Sequence, residues 1–220
     1  MNWEQLIDDR TQNSSWDMDR EVSVDILKDI MNEIHRRSPS KQNLVQYNIN
    51  IIGWDDIEFR NKFKEFTVKD PKSEYPIYNT QTLAPYLIVL TKRAEAPLDR
   101  FEDAVETDLI VDWYNKFALP GIEIGMAAVN IAMSAKDKGL DTGFCRCFDW
   151  NYEHIGDIIE HLGVQSPLDI HLSIGIGYGS DSKRTLDKTT NQQVYSEVRA
   201  GTMWQAEPKP AMDEYIKFIK

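Results

Sequence analysis

Gly121–Asp149 reads GIEIGMAAVNIAMSAKDKGLDTGFCRCFD. Its first half is apolar or small almost all the way round a helical wheel. A helix of that kind has no solvent face, so burial is expected, in a core or against a second subunit. Pro120 suits the first turn. The helix runs through Gly139 into a short Gly-punctuated segment, and so delivers Phe144, Cys145, Arg146 and Cys147 to a defined place beside the centre of the protein.

Upstream, Ser23 is placed to cap a helix carrying Ile26, Leu27, Ile30, Met31 and Ile34. Pro39 ends it by disfavouring helical geometry at Ser38. Tyr47 to Ile52 is expected to be a strand. Asp55-x-x-Glu58 has the form of a capping box ahead of a helix with Phe59, Phe63 and Phe66 on one face. Tyr86 to Thr91 is continuously apolar, as in a strand covered on both faces.

Downstream, Ile155, Ile158, Ile159 and Leu162 mark a further amphipathic helix closed by Gly163. Asp169 to Tyr178 alternates as a strand does. Ile170, Leu172, Ile174, Ile176 and Tyr178 fall on one face, and His171, Ser173, Gly175 and Gly177 on the other. Few strands among many helices predict an α+β fold, with helices packed around a small, mostly antiparallel sheet. Residues 1–220 are expected to form one domain. An acidic excursion or lid at about 92–118 and a C-terminal arm at about 200–220 interrupt it. The excursion holds seven acids against Arg100 between Glu95 and Asp112, as on a solvated helix face or a lid. The arm ends in DEYIKFIK, whose Tyr215, Ile216, Phe218 and Ile219 need a partner surface.

A formal charge of −11 over 220 residues argues against a nucleic-acid or anionic-membrane binder, both of which need a basic footprint. A small anionic ligand needs only a few focused cations. The opening MNWEQLIDDR lacks the basic-then-apolar order of a signal peptide, and no run approaches the ~20 apolar residues of a membrane span. The cytoplasm is the expected setting. Cys145 and Cys147, two residues apart, suit neither a loop-closing disulfide nor a zinc site, and His154 and His161 share a helix without a third ligand nearby. No metal is expected.

There is no Walker loop, no G-x-S-x-G and no H-E-x-x-H. Gly175-x-Gly177-x-Gly179 ends a strand, but SDSKRTLDKTT after it lacks the apolar period of a phosphate-facing helix. Three small polar clusters remain: Asp9 to Ser15, Pro39 to Asn43, and Lys183-Arg184. A phosphate monoester needs about two positive charges and several directed donors. Arg10, Lys183 and Arg184 have the chemistry to supply them.

Taken in order, these segments resemble the FMN-dependent nitroreductase family from about Asp9 to about Arg184. The resemblance rests on Asp9-Arg10-Thr11-Gln12-Asn13-Ser14-Ser15-Trp16 and Val22-Ser23, on Pro39-Ser40-Lys41-Gln42-Asn43 leading into a strand, and on Asn79 before Ala84-Pro85-Tyr86-Leu87-Ile88-Val89. Ala127 through Gly139-Leu140 and Ile174-Gly175-Ile176-Gly177-Tyr178-Gly179 complete it.

The resemblance implies a nitroreductase-like fold, an intertwined homodimer with a long buried central helix, and FMN at the subunit interface. It implies that Arg10, Gln12 and Ser14 cradle the phosphate or ribityl chain, with Lys183 and Arg184 closing on the phosphate. Pro39, Ser40, Lys41 and Asn43 would approach the ring from the partner, and Asn79 would face its polar edge. Backbone groups of Phe144, Cys145, Arg146 and Cys147 would lie along the N5 and O4 edge. The implied reaction passes hydride from NAD(P)H through the flavin to a small oxidised acceptor, nitroaromatic or quinone-like, by a ping-pong scheme. The chemistry lies on flavin N5, so no catalytic side chain is required.

The family pattern is not matched everywhere. Thr11 and Ser14 replace basic residues, Lys41 a small hydroxyl residue and Tyr47 a tryptophan, which leaves the phosphate site with less charge. Two other readings stay open: a flavin-binding or protein-interaction homologue with weak or no reductase activity, and a flavin enzyme of divergent chemistry such as dehalogenation.

Overall fold

A computed structural model describes residues 2–10, 12–67, 79–93, 118–180, 185–187, 192–194 and 212–216. The acidic stretch Glu95 to Asp112, Thr11, Lys183, Arg184 and most of the C-terminal arm lie outside them. Four strands form one antiparallel sheet in the order β1 (Tyr47–Ile52), β2 (Tyr86–Lys92), β4 (Ile170–Gly177), β3 (Asp141–Cys145). Helices α1 (Trp3–Asp9), α2 (Val24–Arg37), α3 (Ile57–Phe66), α4 (Leu119–Asp137) and α5 (Ile155–Leu162) surround it. The short pair β5 (Thr185–Asp187) and β6 (Gln192–Val194) stands apart from this sheet, as does the one-turn α6 (Met212–Tyr215).

The apolar periods explain the layers. Ile88 and Leu90 of β2 join Ile174, Ile176 and the α2 and α4 residues Ile30, Ile34, Ala127 and Ile131 in one core. Leu87 and Val89, pointing the other way, join Phe59, Phe63, Phe66, Ile158 and Leu162 in a second. Strand β2 is therefore covered on both faces, as its unbroken apolar run predicts. Truncating a residue such as Ile131, which is wholly buried, to alanine would cost about 2–5 kcal/mol.

Local signals match with two exceptions. Ser23 caps α2 by accepting from the Asp25 N–H, and α2 stops at Ser38 ahead of Pro39. Helix α3 is capped by Asp56, not Asp55, because the Asp56 carboxylate accepts from the Phe59 N–H at 3.3 Å. The alternation of β4 fails at one residue. Leu90 faces Leu172 and Thr91 faces Ile170, which leaves His171 as the extra residue of a β-bulge. Ile170 consequently packs in the aromatic core, while Leu172, Ile174 and Ile176 pack toward α4.

The central helix also departs from its expectation of burial on every side. Ile124, Ala127, Ala128, Ile131 and Ala135 are buried, but Ile122 is 52 % and Val129 57 % exposed in the single chain. Among the described residues no helix is long and apolar enough to cross a membrane.

Candidate functional site

Two glycines allow three remote segments to meet at the β3 edge. A Cβ on Gly143 would collide with the Asn13 carbonyl oxygen, and one on Gly175 with the Gln81 carbonyl oxygen. Only glycine leaves room for backbone to approach backbone so closely. Residues 12–16 therefore run along β3: the Asn13 N–H donates to the Thr142 carbonyl at 2.9 Å, and Gln12 bridges to Thr142. The turn Thr80–Leu83 lies across β4, where the Thr80 hydroxyl donates to the Ser14 carbonyl at 2.7 Å and the Trp16 indole N–H donates to the Thr80 carbonyl at 2.9 Å.

Apart from Lys183 and Arg184, which lie outside the described residues, the residues expected to act there take the following places. Arg10 ends α1, half-buried, with no partner for its guanidinium among the described residues. The Gln12 side-chain amide closes the open edge of β3: its Nε2 donates to the Phe144 carbonyl at 2.8 Å, and its Oε1 accepts from the Phe144 N–H at 3.0 Å. Ser14 is half-buried beside Thr80. Asn79 donates through Nδ2 to the Thr67 carbonyl, while its own carbonyl accepts from the Thr82 N–H and hydroxyl. Cys145 is buried at the end of β3 and Cys147 is exposed. Burial pushes the Cys145 thiol up to about 12, so it stays protonated. Arg146 reaches across to β4, where its Nε donates to the His171 carbonyl at 3.2 Å.

Pro39, Ser40, Lys41 and Asn43 form a separate cluster. The turn that holds them is strained, with Gln42, Asn43 and Val45 at φ of 53°, 58° and 52°. A β-branched residue such as Val45 rarely adopts that conformation, and a turn of this kind persists only where its surroundings over-determine it. Two side chains do so. Glu123 of α4, 1 % exposed, accepts from the Lys41 N–H at 2.7 Å and the Gln46 N–H at 2.8 Å. Arg93 donates to the Leu44 and Val45 carbonyls at 3.2 and 3.4 Å. The Ser40 hydroxyl accepts from the Val45 N–H. Beneath the turn, burial raises the pKa of the Tyr47 hydroxyl, with the Glu123 carboxylate adding to the rise and Ser38 opposing it.

This turn is tied to the start of α4, whereas α1 packs beside Asn130, Ser134 and Asp137. Just before the turn, the Ser38 hydroxyl accepts from the Asn130 Nδ2 at 3.0 Å, so the segment is tied to the middle of α4 as well as to its start.

Glu123 and Arg60 are the residues sequence reasoning missed. Arg60 sits on the apolar face of α3, 5 % exposed, and donates through Nη2 to the carbonyls of Thr82 at 2.7 Å and Ala84 at 2.5 Å, which fixes the Asn79 turn. Burial pulls its pKa down to about 10, against the opposing pull of Asp56. The available signal in both cases was a lone charge within an otherwise apolar helical face. His161 stacks on Phe59 and pairs with Asp56 at 3.1 Å, and His154 lies beside Glu153. Among the described residues no cluster has the make-up of a metal site.

No family model matches the chain, and neither does any curated protein. Solved structures do. A nitroreductase family protein from Clostridium novyi NT superposes with a TM-score of 0.57 at 19% identity, over 87% of this chain and 92% of that one. One from Streptococcus pneumoniae TIGR4 gives 0.58 at 13% identity, over 99% and 100%. An FMN-dependent nitroreductase from Clostridium difficile R20291 gives 0.57 at 18% identity, over 93% and 99%. At such identities the likeness speaks to architecture: the chain has the fold of the nitroreductase family structures.

Proposed function

We propose that the chain is an FMN-dependent oxidoreductase that works as a homodimer and passes hydride from NAD(P)H to a small oxidised acceptor of nitroaromatic or quinone-like type. One observation carries this reading. Residues 12–16, the Asn79 turn and the end of β3, far apart in sequence, are brought together, and at their margin stands the half-buried guanidinium of Arg10, which has no partner among the described residues. A buried cation without a partner is costly unless a ligand anion completes it, and a guanidinium fork suits phosphate. The shared fold supports the same reading, and a structure with that fold is named as FMN-dependent.

The residues present fit FMN in outline. Arg10 would hold the phosphate, with Lys183 and Arg184 as further cations. Ser40, Lys41 and Asn43 would come from the partner, as the family resemblance implies. Backbone groups of Phe144, Cys145, Arg146 and Cys147 would border the ring. FMN, when bound, supplies the exchange of hydride between a nicotinamide donor and an oxidised acceptor. The chain contributes position: Gln12 stiffens the end of β3, Arg60 fixes the Asn79 turn, and Glu123 sets the Ser40–Asn43 turn.

The dimer is supported by apolar surface that a monomer would leave in water. Val129 on α4, and Trp3 and Ile7 on α1, are all exposed in the single chain. Sedimentation at micromolar concentration should give twice the 25.5 kDa of one chain, and Val129→Glu should give a single chain that no longer retains FMN. For the cofactor, the protein as purified should be yellow and should bleach anaerobically with NADPH or NADH. Arg10→Ala should weaken FMN binding by about 1.5–3 kcal/mol. Unchanged FMN affinity in that variant removes Arg10 from the site, and no bleaching with either donor defeats the reductase reading.

One observation favours a second reading, a binding protein that has lost tight FMN retention. The amides of Gln12 and Asn79, both implied as ligands by the family resemblance, are engaged by the chain's own backbone. A colourless protein that gains no flavin absorbance with excess FMN would decide for it.

A further inference from the structure

A cleft of about 780 Å³ opens at the start of α4, between that helix, the end of β3 and the bulged beginning of β4. Ile122, Ile124, Leu168 and Leu172 give it apolar walls. Two polar side chains join them. Arg146 lays its guanidinium across the end of β4 through the bond from its Nε to the His171 carbonyl, and its terminal nitrogens have no partner among the described residues. His171 is brought to the α4 side by the bulge, so that a Cβ on Gly121 would sit 3.6 Å from its Nδ1. Its Nε2 is buried without a partner.

The electrostatics have one sign. No acid lines the cleft among the described residues, in a chain of net charge −11. Burial first, and then the charge of Arg146, hold the His171 pKa below its ordinary value, so the ring is neutral at neutral pH and the guanidinium is the charge of the cleft. Lys92 acts on His171 in the same direction, and Asp169 opposes both. The Asp169 carboxylate is turned away to the N–H groups of Gln165 and Ser166. A β-bulge that re-aims a polar side chain into a concave apolar surface is characteristic of a site.

We propose that this cleft binds a compact apolar molecule bearing one carboxylate, with the carboxylate on Arg146 and the apolar body against the isoleucine and leucine walls. A single guanidinium matches a monoanion, whereas a phosphate dianion calls for more charge and more donors. The volume is that of a small-molecule site. Such a ligand must be drawn in locally, because the overall field of the protein repels anions.

Titration calorimetry on the full chain tests this with phenylacetate and its neutral isostere phenylacetamide. Phenylacetate should bind once per chain, and phenylacetamide at least about tenfold more weakly. Arg146→Gln should abolish that preference. Leu168→Glu, at an exposed position outside both cores, should weaken phenylacetate about tenfold by adding a like charge to the wall. Circular dichroism identical to the parent shows that each variant is folded. Absence of phenylacetate binding by the parent chain, equal affinity for the two probes, or undiminished phenylacetate affinity in folded Arg146→Gln overturns the proposal. Phenylacetate binding is read by heat on the protein as purified and FMN retention by absorbance, so either idea can fail alone.

Discussion

Glu123 and Arg60 are the two charged side chains that the fold buries among the described residues, and they solve one problem with opposite signs. Each projects from an apolar helix face to hold a turn against the sheet. Glu123 meets two backbone N–H groups with two oxygens. Arg60 meets two carbonyls with one nitrogen, leaves its Nε and Nη1 buried without partners, and lies 5.1 Å from the Trp54 ring centre. A carboxylate needs only donors and the Ser40–Asn43 turn supplies them, whereas a guanidinium carries five donors and the Asn79 turn answers with two carbonyls. The satisfied charge holds the strained turn, and the under-satisfied one holds the relaxed turn.

That contrast gives an order of effects. Of the two, Glu123→Leu should be the more damaging, about 2–4 kcal/mol in chemical denaturation, because two backbone donors lose their acceptor and Gln42, Asn43 and Val45 lose one of the two side chains that keep them left-handed. Amide exchange at Lys41 and Gln46 should accelerate with it. Arg60→Met should cost less, about 1–2 kcal/mol, since the lost carbonyl bonds are offset by removing two unpaired buried nitrogens. A larger loss for Arg60→Met than for Glu123→Leu would break the comparison.

The smallest effect is one of pH. His171 has a folded-state pKa below its ordinary 6.5, so between these two values the unfolded chain holds the extra proton. Stability should therefore fall as pH drops through this window and level off below the folded value. His171→Gln should flatten that part of the profile, and an unaltered slope would show that His171 does not titrate as its burial dictates.

Much of the architecture was legible because it is written in local periods. The apolar run of β2 predicted a strand sealed on both sides, and the phenylalanines at Phe59, Phe63 and Phe66 predicted one face of α3. Pro39 marked the end of α2. The His171 bulge was not legible, because HLSIGIG alternates in sequence whether or not one residue is left unpaired. Only the pairing partner decides, and Leu90 and Thr91 lie some eighty residues upstream. The engagement of Gln12 and Asn79 was hidden for a like reason: an amide shows what it can bond and not whether a backbone already meets it.

By itself the sequence determined which stretches are helix or strand and which faces are apolar. Those properties belong to a residue and its near neighbours. The tertiary structure alone decided which turn each buried charge holds, that Arg146 shares a cleft with His171, and that Arg10 has no partner among the described residues. Pairings of that kind depend on distances between segments remote in the chain. Hydrophobic burial brings the segments together without specifying polar partners, and the partners follow only from the register in which the layers finally pack.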